Sequence, residues 1–328
     1  MTPSHLAESK TAEYDLLRED CGLIELTDRL ALVRLTGDDR KAWLQGQVTN
    51  DVRALQVGGF QSFCFLTPTG QILADCSCWR TEDSYLIAVD VKALNALIER
   101  FDAMIVMEQV EYSVVSGEYR MFSLQGPSAS QRLGELLDLP TLDIGSATLG
   151  KVEVTLLRSN RTGMGGWDSL VPASSKTGAK PITSEFTSVS EGAFNAAMLE
   201  AGIPRYGFEI DGKTLPPELG LAFMNRNVSH NKGCYTGQEV VHRIHARGHT
   251  NKTWVGILAD DMMVPGDQVV HGTKEVGTVI SAFDSPRFGY IASAFVKNDV
   301  INDGEEVEIR RENDAFGGEI RELPLLRF

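Results

Sequence analysis

The feature that most constrains this fold is a change of rhythm near residue 252. Beyond it the apolar segments are short, alternating and separated by turns, at 253–258, 268–270, 276–282, 289–295 and 307–310. A period of two buries one face of each strand, and a run of such strands closes most simply as a small β-barrel. Before residue 252 strands and helices are interleaved. Segments 30–35, 60–65, 71–79 and 85–89 read as strands, with Thr67-Pro68-Thr69-Gly70 as the turn between the second and third. Asp38 is placed to cap a helix ending near Gln47, and Asp90 one ending near Phe101, whose Leu94, Leu97, Ile98 and Phe101 make an apolar stripe. Strands near 111–115 and 119–124 precede Gly126-Pro127 and a helix to about Leu137. A Ser-, Thr- and Gly-rich stretch over 174–188 reads as loop. Ser188 and Glu191 have capping-box spacing ahead of a helix over 192–201, which Gly202 ends. The fold class is α+β, divided into residues 1–251 and a barrel over 252–328. A chain of 328 residues is long enough for two or three cores.

The junction between the two parts is chemically unlike the rest. The net charge is −14, yet across 225–252 Arg226, Lys232, Arg243, Arg247 and Lys252 oppose only Glu239. That stretch is +4 and the remainder −18, a balance that argues against general nucleic-acid binding and for either a solvated helix face or a local anion site. Within it, Thr236 and Glu239 have capping-box spacing and Gly248 stands where a helix C-terminal glycine belongs. Cys234 would then precede a helix N-terminus beside Lys232, where both positive charges favour a thiolate, although a lone cysteine also reads as a small buried hydrophobe. His242, His245 and His249 fall on one helix face, but no HExxH or Cys-x-x-Cys accompanies them, so no metal is expected. Cys76 and Cys78 share one face of a strand, with packing as the simpler role. The five cysteines show no disulfide spacing. The polar first twenty residues hold no signal-peptide core, and no apolar run reaches membrane length; a reducing cytoplasm is the expected location.

Lys232-Gly233-Cys234-Tyr235-Thr236-Gly237-Gln238-Glu239 resembles the signature of the YgfZ-type folate-binding proteins. These are relatives of the glycine-cleavage T-protein, an aminomethyltransferase, and their members support iron–sulfur enzymes. Other blocks are similar to the same superfamily: Arg34-Leu35-Thr36-Gly37-Asp38-Asp39, Leu66-Thr67-Pro68-Thr69-Gly70-Gln71-Ile72, Leu199-Glu200-Ala201-Gly202 with Tyr206-Gly207, and Gly289-Tyr290-Ile291-Ala292. The resemblance implies a three-lobed aminomethyltransferase-like fold. Two intertwined α+β lobes would hold tetrahydrofolate in a central hole, followed by the barrel.

By that resemblance Glu200 holds the pterin ring, a role a carboxylate suits because the ring presents adjacent N–H donors. Without it, Glu200 is an exposed helix-end residue. Tyr206, Arg226, Tyr235, Arg243 and Arg247 are the remaining folate-binding candidates, the cations attracting the glutamate tail. Cys234, Lys232 and Asp75 are the catalytic candidates. Two departures from the T-protein pattern stand out: Ala74-Asp75 replaces a pair of aspartates, and Met164 stands where a glutamate is expected. Aminomethyl transfer needs an acid or base near the reacting nitrogen, so a missing carboxylate weighs against it. The leading expectation is therefore a tetrahydrofolate-binding protein that supports iron–sulfur cluster assembly or repair in client enzymes through Cys234. The alternatives are a folate-dependent aminomethyltransferase or demethylase, and a scaffold that has lost folate.

Overall fold

The computed structural model describes residues 3–326 apart from 176, 249 and 313, with side chains omitted for residues 3–10 and Arg247. Three antiparallel sheets carry these residues. In the first, the strands lie side by side as Phe60–Leu66, Ile72–Arg80, Tyr85–Asp90, Leu30–Thr36 and Glu111–Val114; in the second, as Gly22–Glu25, Tyr119–Gln125, Gly166–Pro172, Val152–Ser159 and Ile144–Leu149. The two sheets pack face to face. Leu32, Trp79, Leu86 and Ala88 of the first meet Ile24, Met121, Leu157 and Leu170 of the second in one buried cluster. Their outer faces are covered by helices, so the first 200 residues form a helix–sheet–sheet–helix stack.

Alternation along single strands produces that layering. On Ile72–Arg80, Ala74, Cys76 and Cys78 point into the core beneath the helices, while Asp75, Ser77 and Trp79 point toward the other sheet. The covering helix Val91–Met104 starts where the Asp90 carboxylate accepts the Lys92 amide at 2.9 Å. Its Ala93, Leu97 and Phe101, four residues apart, are fully buried, and it ends where Ile105 turns extended. Burying Leu97 or Phe101 contributes about 1.5–3 kcal/mol each, and truncation to alanine would leave a cavity in this layer. Beyond the lobes, Lys252–Ala259, Gly289–Lys297, Lys274–Ser285, Gln268–His271, Glu306–Arg311 and Asp314–Arg321 close into a six-stranded barrel. The three-lobed fold with its terminal barrel is as the sequence implied.

Several local expectations are corrected. The second helix is Arg40–Gln47, and Asp39 rather than Asp38 precedes it, its carboxylate accepting the Gln109 amide instead of capping. Ser190, not Ser188, caps Glu191–Glu200, accepting from the Ala193 amide. The 174–188 stretch contains a helix, Lys180–Glu185, and Ala129–Gly134 stops short of Leu137. A helix at Pro3–Glu19 was not expected. Among the described residues no helix is long and apolar enough to cross a membrane.

Candidate functional site

Where the two sheets part at one end, they leave a cavity of about 190 Å³. The first sheet supplies Phe60, Ser62, Asp75, Ser77 and Asp90; the loop after Val152–Ser159 supplies Asn160 and Arg161. Phe194 and Met198 of Glu191–Glu200, the segment Ile203–Tyr206, and Phe223, Arg226 and Asn227 of Gly220–Asn227 close it. The polar floor is a consequence of strand alternation. Asp75 and Ser77 occupy the inward face of Ile72–Arg80, and Trp79, next on that face, is buried between the sheets with its indole donating to the Arg158 carbonyl at 3.0 Å.

Electrostatics single out Asp75. Burial raises its pKa from 3.8 to about 6, the Asp90 charge adds to the rise, and Arg226 and Arg161 oppose it. Burial in the same cavity depresses the Arg226 guanidinium, with Asp75 acting to keep it charged. Arg226 makes no ion pair among the described residues. Tyr206, half-buried, is raised by burial and by the carboxylates of Asp75, Asp90 and Asp211. A carboxyl group that titrates near neutrality, with the charge of a solvent-reached Arg226 favouring its ionised form, is a proton-handling arrangement typical of active sites.

Of the nine residues singled out from the sequence, the structure brings together three in this cavity: Asp75, Tyr206 and Arg226. Glu200 is elsewhere. It is fully buried, one oxygen accepting from the Tyr14 hydroxyl at 2.8 Å and the Arg18 guanidinium at 2.6 and 3.1 Å, the other from the Ser285 hydroxyl at 2.6 Å. Both oxygens are engaged and the group is fully buried away from the cavity, so it is not placed to meet a pterin there. This knot ties Pro3–Glu19, Glu191–Glu200 and the barrel strand Lys274–Ser285 together. Lys232 donates to the carbonyls of Gln45, Val48 and Asn50 at 2.7, 2.5 and 2.8 Å, satisfying the C-terminal end of Arg40–Gln47. Burial brings its pKa down to about 8. It is a helix anchor, not a partner for a thiolate.

Cys234 is exposed, whereas the other four cysteines are buried. The helix after it is Gln238–Arg247, but Gly237 in the left-handed region precedes it, and the Thr236 hydroxyl accepts from Arg100 at 2.6 Å in place of the capping box. Gly248 does end it, its amide bonding to the Ile244 carbonyl at 2.8 Å. Tyr235 is buried in an apolar cluster and raised to about 12 by burial; Arg243 is exposed, and neither lines the cavity. The Arg247 side chain and His249 lie outside the described residues. His245 stacks on His230 at 3.8 Å and His242 meets the same ring edge-on at 5.9 Å. Among the described residues no three metal-ligating groups are set to hold an ion. Sequence reasoning missed Arg29, Arg161 and Arg205 as cavity residues. Arg205 sits beside the quoted Tyr206-Gly207, but nothing in the local pattern around any of the three distinguishes an inward arginine from a solvated one.

The model of the GCVT N-terminal domain matches residues 3–227, and that of the glycine cleavage T-protein C-terminal barrel domain matches residues 252–326. An aminomethyltransferase of Listeria monocytogenes serotype 4a is 27% identical over 329 residues, covering 96% of this chain and 89% of the relative. One of Synechococcus sp. is 28% identical over 320 residues, covering 92% and 87%. The crystal structure of the glycine cleavage system aminomethyltransferase T from Bartonella henselae superposes with a TM-score of 0.85 over 97% of this chain and 89% of that one, at 20% identity, a likeness of fold. The expected role in iron–sulfur cluster maintenance is overturned by these findings: the relatives are named aminomethyltransferase, which favours the first of the two alternatives. The structure removes its physical support as well, because Lys232 is bound to backbone carbonyls and Cys234 stands outside the cavity.

Proposed function

This chain belongs to the glycine cleavage T-protein family, and from that premise we propose that it is a folate-dependent aminomethyltransferase. The observation that carries the reading is Asp75, a carboxyl group raised to about 6 inside the cavity between the two sheets. The lining suits tetrahydrofolate. Asp75 and Asp90 are acceptors for pterin N–H groups, Phe60, Phe194 and Tyr206 offer ring faces, and Arg226 is a cation without an ion pair for the glutamate tail. When bound, tetrahydrofolate supplies the nitrogen that takes up the one-carbon unit.

Asp75 holds or releases the proton at the reacting nitrogen. With a pKa near 6 it is mostly ionised at neutral pH, yet close enough to take up a proton during the reaction. Arg226 favours the ionised form, and the two packed sheets keep bulk water from the transferred carbon. Residues 1–251 would carry this site and 252–328 the supporting barrel. The test is ammonia release from an aminomethyl donor by the purified protein, with and without tetrahydrofolate. We expect release only with folate, and a fall of about 10²–10⁴-fold in Asp75→Asn, the range for removal of an acid–base group. Equal rates in wild type and Asp75→Asn would remove the carboxyl from the mechanism.

A further inference from the structure

Four guanidinium groups face the cavity, and they are not equivalent. Arg161 is forked onto buried Asp168, with bonds of 2.6 and 3.2 Å, and Arg205 onto buried Glu209, with bonds of 2.8 and 3.2 Å. Each has its charge balanced by its own carboxylate. Arg29 makes no ion pair among the described residues. One of its terminal nitrogens reaches the Asn195 side-chain oxygen at 3.3 Å, and its guanidinium lies 5.5 Å from the Phe194 ring centroid. The other terminal nitrogen is buried with no hydrogen-bond partner. The acidic groups that act on it, Glu191 and Asp90, form no ion pair with it, and one Asp90 oxygen already accepts from the Lys92 amide. Arg29 thus lines the cavity as a part-buried cation whose charge no carboxylate matches, and a ligand in the cavity can bring the counter-charge.

Strand register gives its distance from Asp75. Leu30 pairs with Asp90 across one strand boundary, and Cys76 pairs with Val89 across the next, which sets Asp75 level with Asp90. Arg29 immediately precedes Leu30. The backbones carrying Asp75 and Arg29 are thus two strand spacings apart, about 10 Å. A ligand with its reacting nitrogen at Asp75 reaches Arg29 with a group about one small ring away.

We propose that Arg29 is a specificity-determining residue of this site, and that its unmatched guanidinium charge receives a carboxylate of the ligand. The proposal rests on the aminomethyltransferase reading. Two sources share this chemistry, the glutamate tail of the folate itself and a small amino-acid donor bound beside it. Burial also depresses the Arg29 pKa, as expected for a guanidinium that awaits a counter-charge.

The experiment is calorimetric binding to wild type, Arg29→Gln and Arg29→Lys. The probes are tetrahydrofolate, tetrahydropteroate (which lacks the glutamate), and N-methylglycine titrated into folate-saturated protein. Losing a charge-assisted hydrogen bond weakens binding by about ten- to a hundredfold. If the folate tail is the ligand, Arg29→Gln binds tetrahydrofolate that much more weakly, matches wild type on tetrahydropteroate, and is partly rescued by Arg29→Lys. If the amino acid is the ligand, folate binding is unchanged and N-methylglycine binding falls by the same factor. Wild-type affinities for all three probes in Arg29→Gln overturn the proposal and leave the functional reading standing. Failure of wild type to bind either pterin sinks both. Thermal melting of each variant confirms folding, and Arg29→Lys retains a cation if the glutamine variant does not fold.

Discussion

Asp75→Asn should be more stable relative to wild type at pH 8 than at pH 5. The Asp75 carboxyl has an unfolded-state pKa of 3.8 and a folded-state value of about 6, so between those values the folded protein holds the extra proton. Its favourable contribution is fully present below pH 3.8 and is lost as pH rises through 6. A shift of two units corresponds to about 3 kcal/mol over the full range, of which linkage places roughly 1.4 kcal/mol between pH 5 and pH 8. Asparagine does not titrate. It also leaves Arg226 facing a neutral amide, a penalty that shifts the variant's stability by a constant and cancels when the two pH values are compared. For a chain of this length 1.4 kcal/mol is about 2 °C in Tm. Differential scanning calorimetry of both proteins at pH 5, 6, 7 and 8 reads the quantity directly, and histidine titrations common to both cancel. A Tm difference that stays flat across this range would refute the buried, cavity-facing carboxyl. A folded-state pKa at or below 3.8 would give that flat result, because Asp75 would then be almost fully ionised in both states from pH 5 upward.

Glu200→Ala should cost about 3–5 kcal/mol in denaturant unfolding, because it strands the Arg18 guanidinium in the interior. If the carboxylate instead held a ligand, binding would fail and stability would barely change. Of the five cysteines only Cys234 is exposed, so native protein should release one equivalent in a rapid thiol titration, and denatured protein five. Cys234→Ser should bind tetrahydrofolate within about twofold of wild type, since the thiol lies outside the cavity; a loss greater than about tenfold would return it to the site. Arg226→Gln should weaken tetrahydrofolate binding by about ten- to a hundredfold while leaving the Tm within a few degrees, and an unchanged affinity would remove Arg226 from the tail site.

The overall architecture was legible because periodicity is a local signal. Alternation beyond residue 252 marked the barrel, and the stripe of Leu94, Leu97, Ile98 and Phe101 marked the covering helix. Caps were less legible. Asp38, Ser188 and Thr236 each had the right neighbours, yet the chain enters the helices one or two residues later, where Asp39, Ser190 and Gly237 stand. The site was the least legible part, because its residues come from seven segments between Leu26 and Asn227 and meet only once the sheets have packed. Glu200 and Lys232 were misread for one reason. A charged side chain in a short motif looks available, and only the fold shows that Tyr14, Arg18 and Ser285, or three backbone carbonyls, already engage it.

The same geometry reverses the strongest objection to aminomethyl transfer. Ala74 in place of a carboxylate weighs against that chemistry only if position 74 faces the reacting groups. On the strand Ile72–Arg80 it does not: Ala74 is fully buried in the core beneath the helices, on the same face as Cys76 and Cys78. Position 75 lies on the opposite face, in the cavity. An aspartate introduced at 74 would enter an apolar layer with no partner and remain uncharged or destabilise the lobe, contributing nothing to the cavity. Ala74→Asp should therefore cost stability without raising transfer activity, and Ala74→Ser, similar in size, should leave activity near wild type. A gain of activity in Ala74→Asp would show that the strand presents both positions to the ligand and that the register argument fails. One inward carboxyl is what this strand can offer, and Asp75 supplies it.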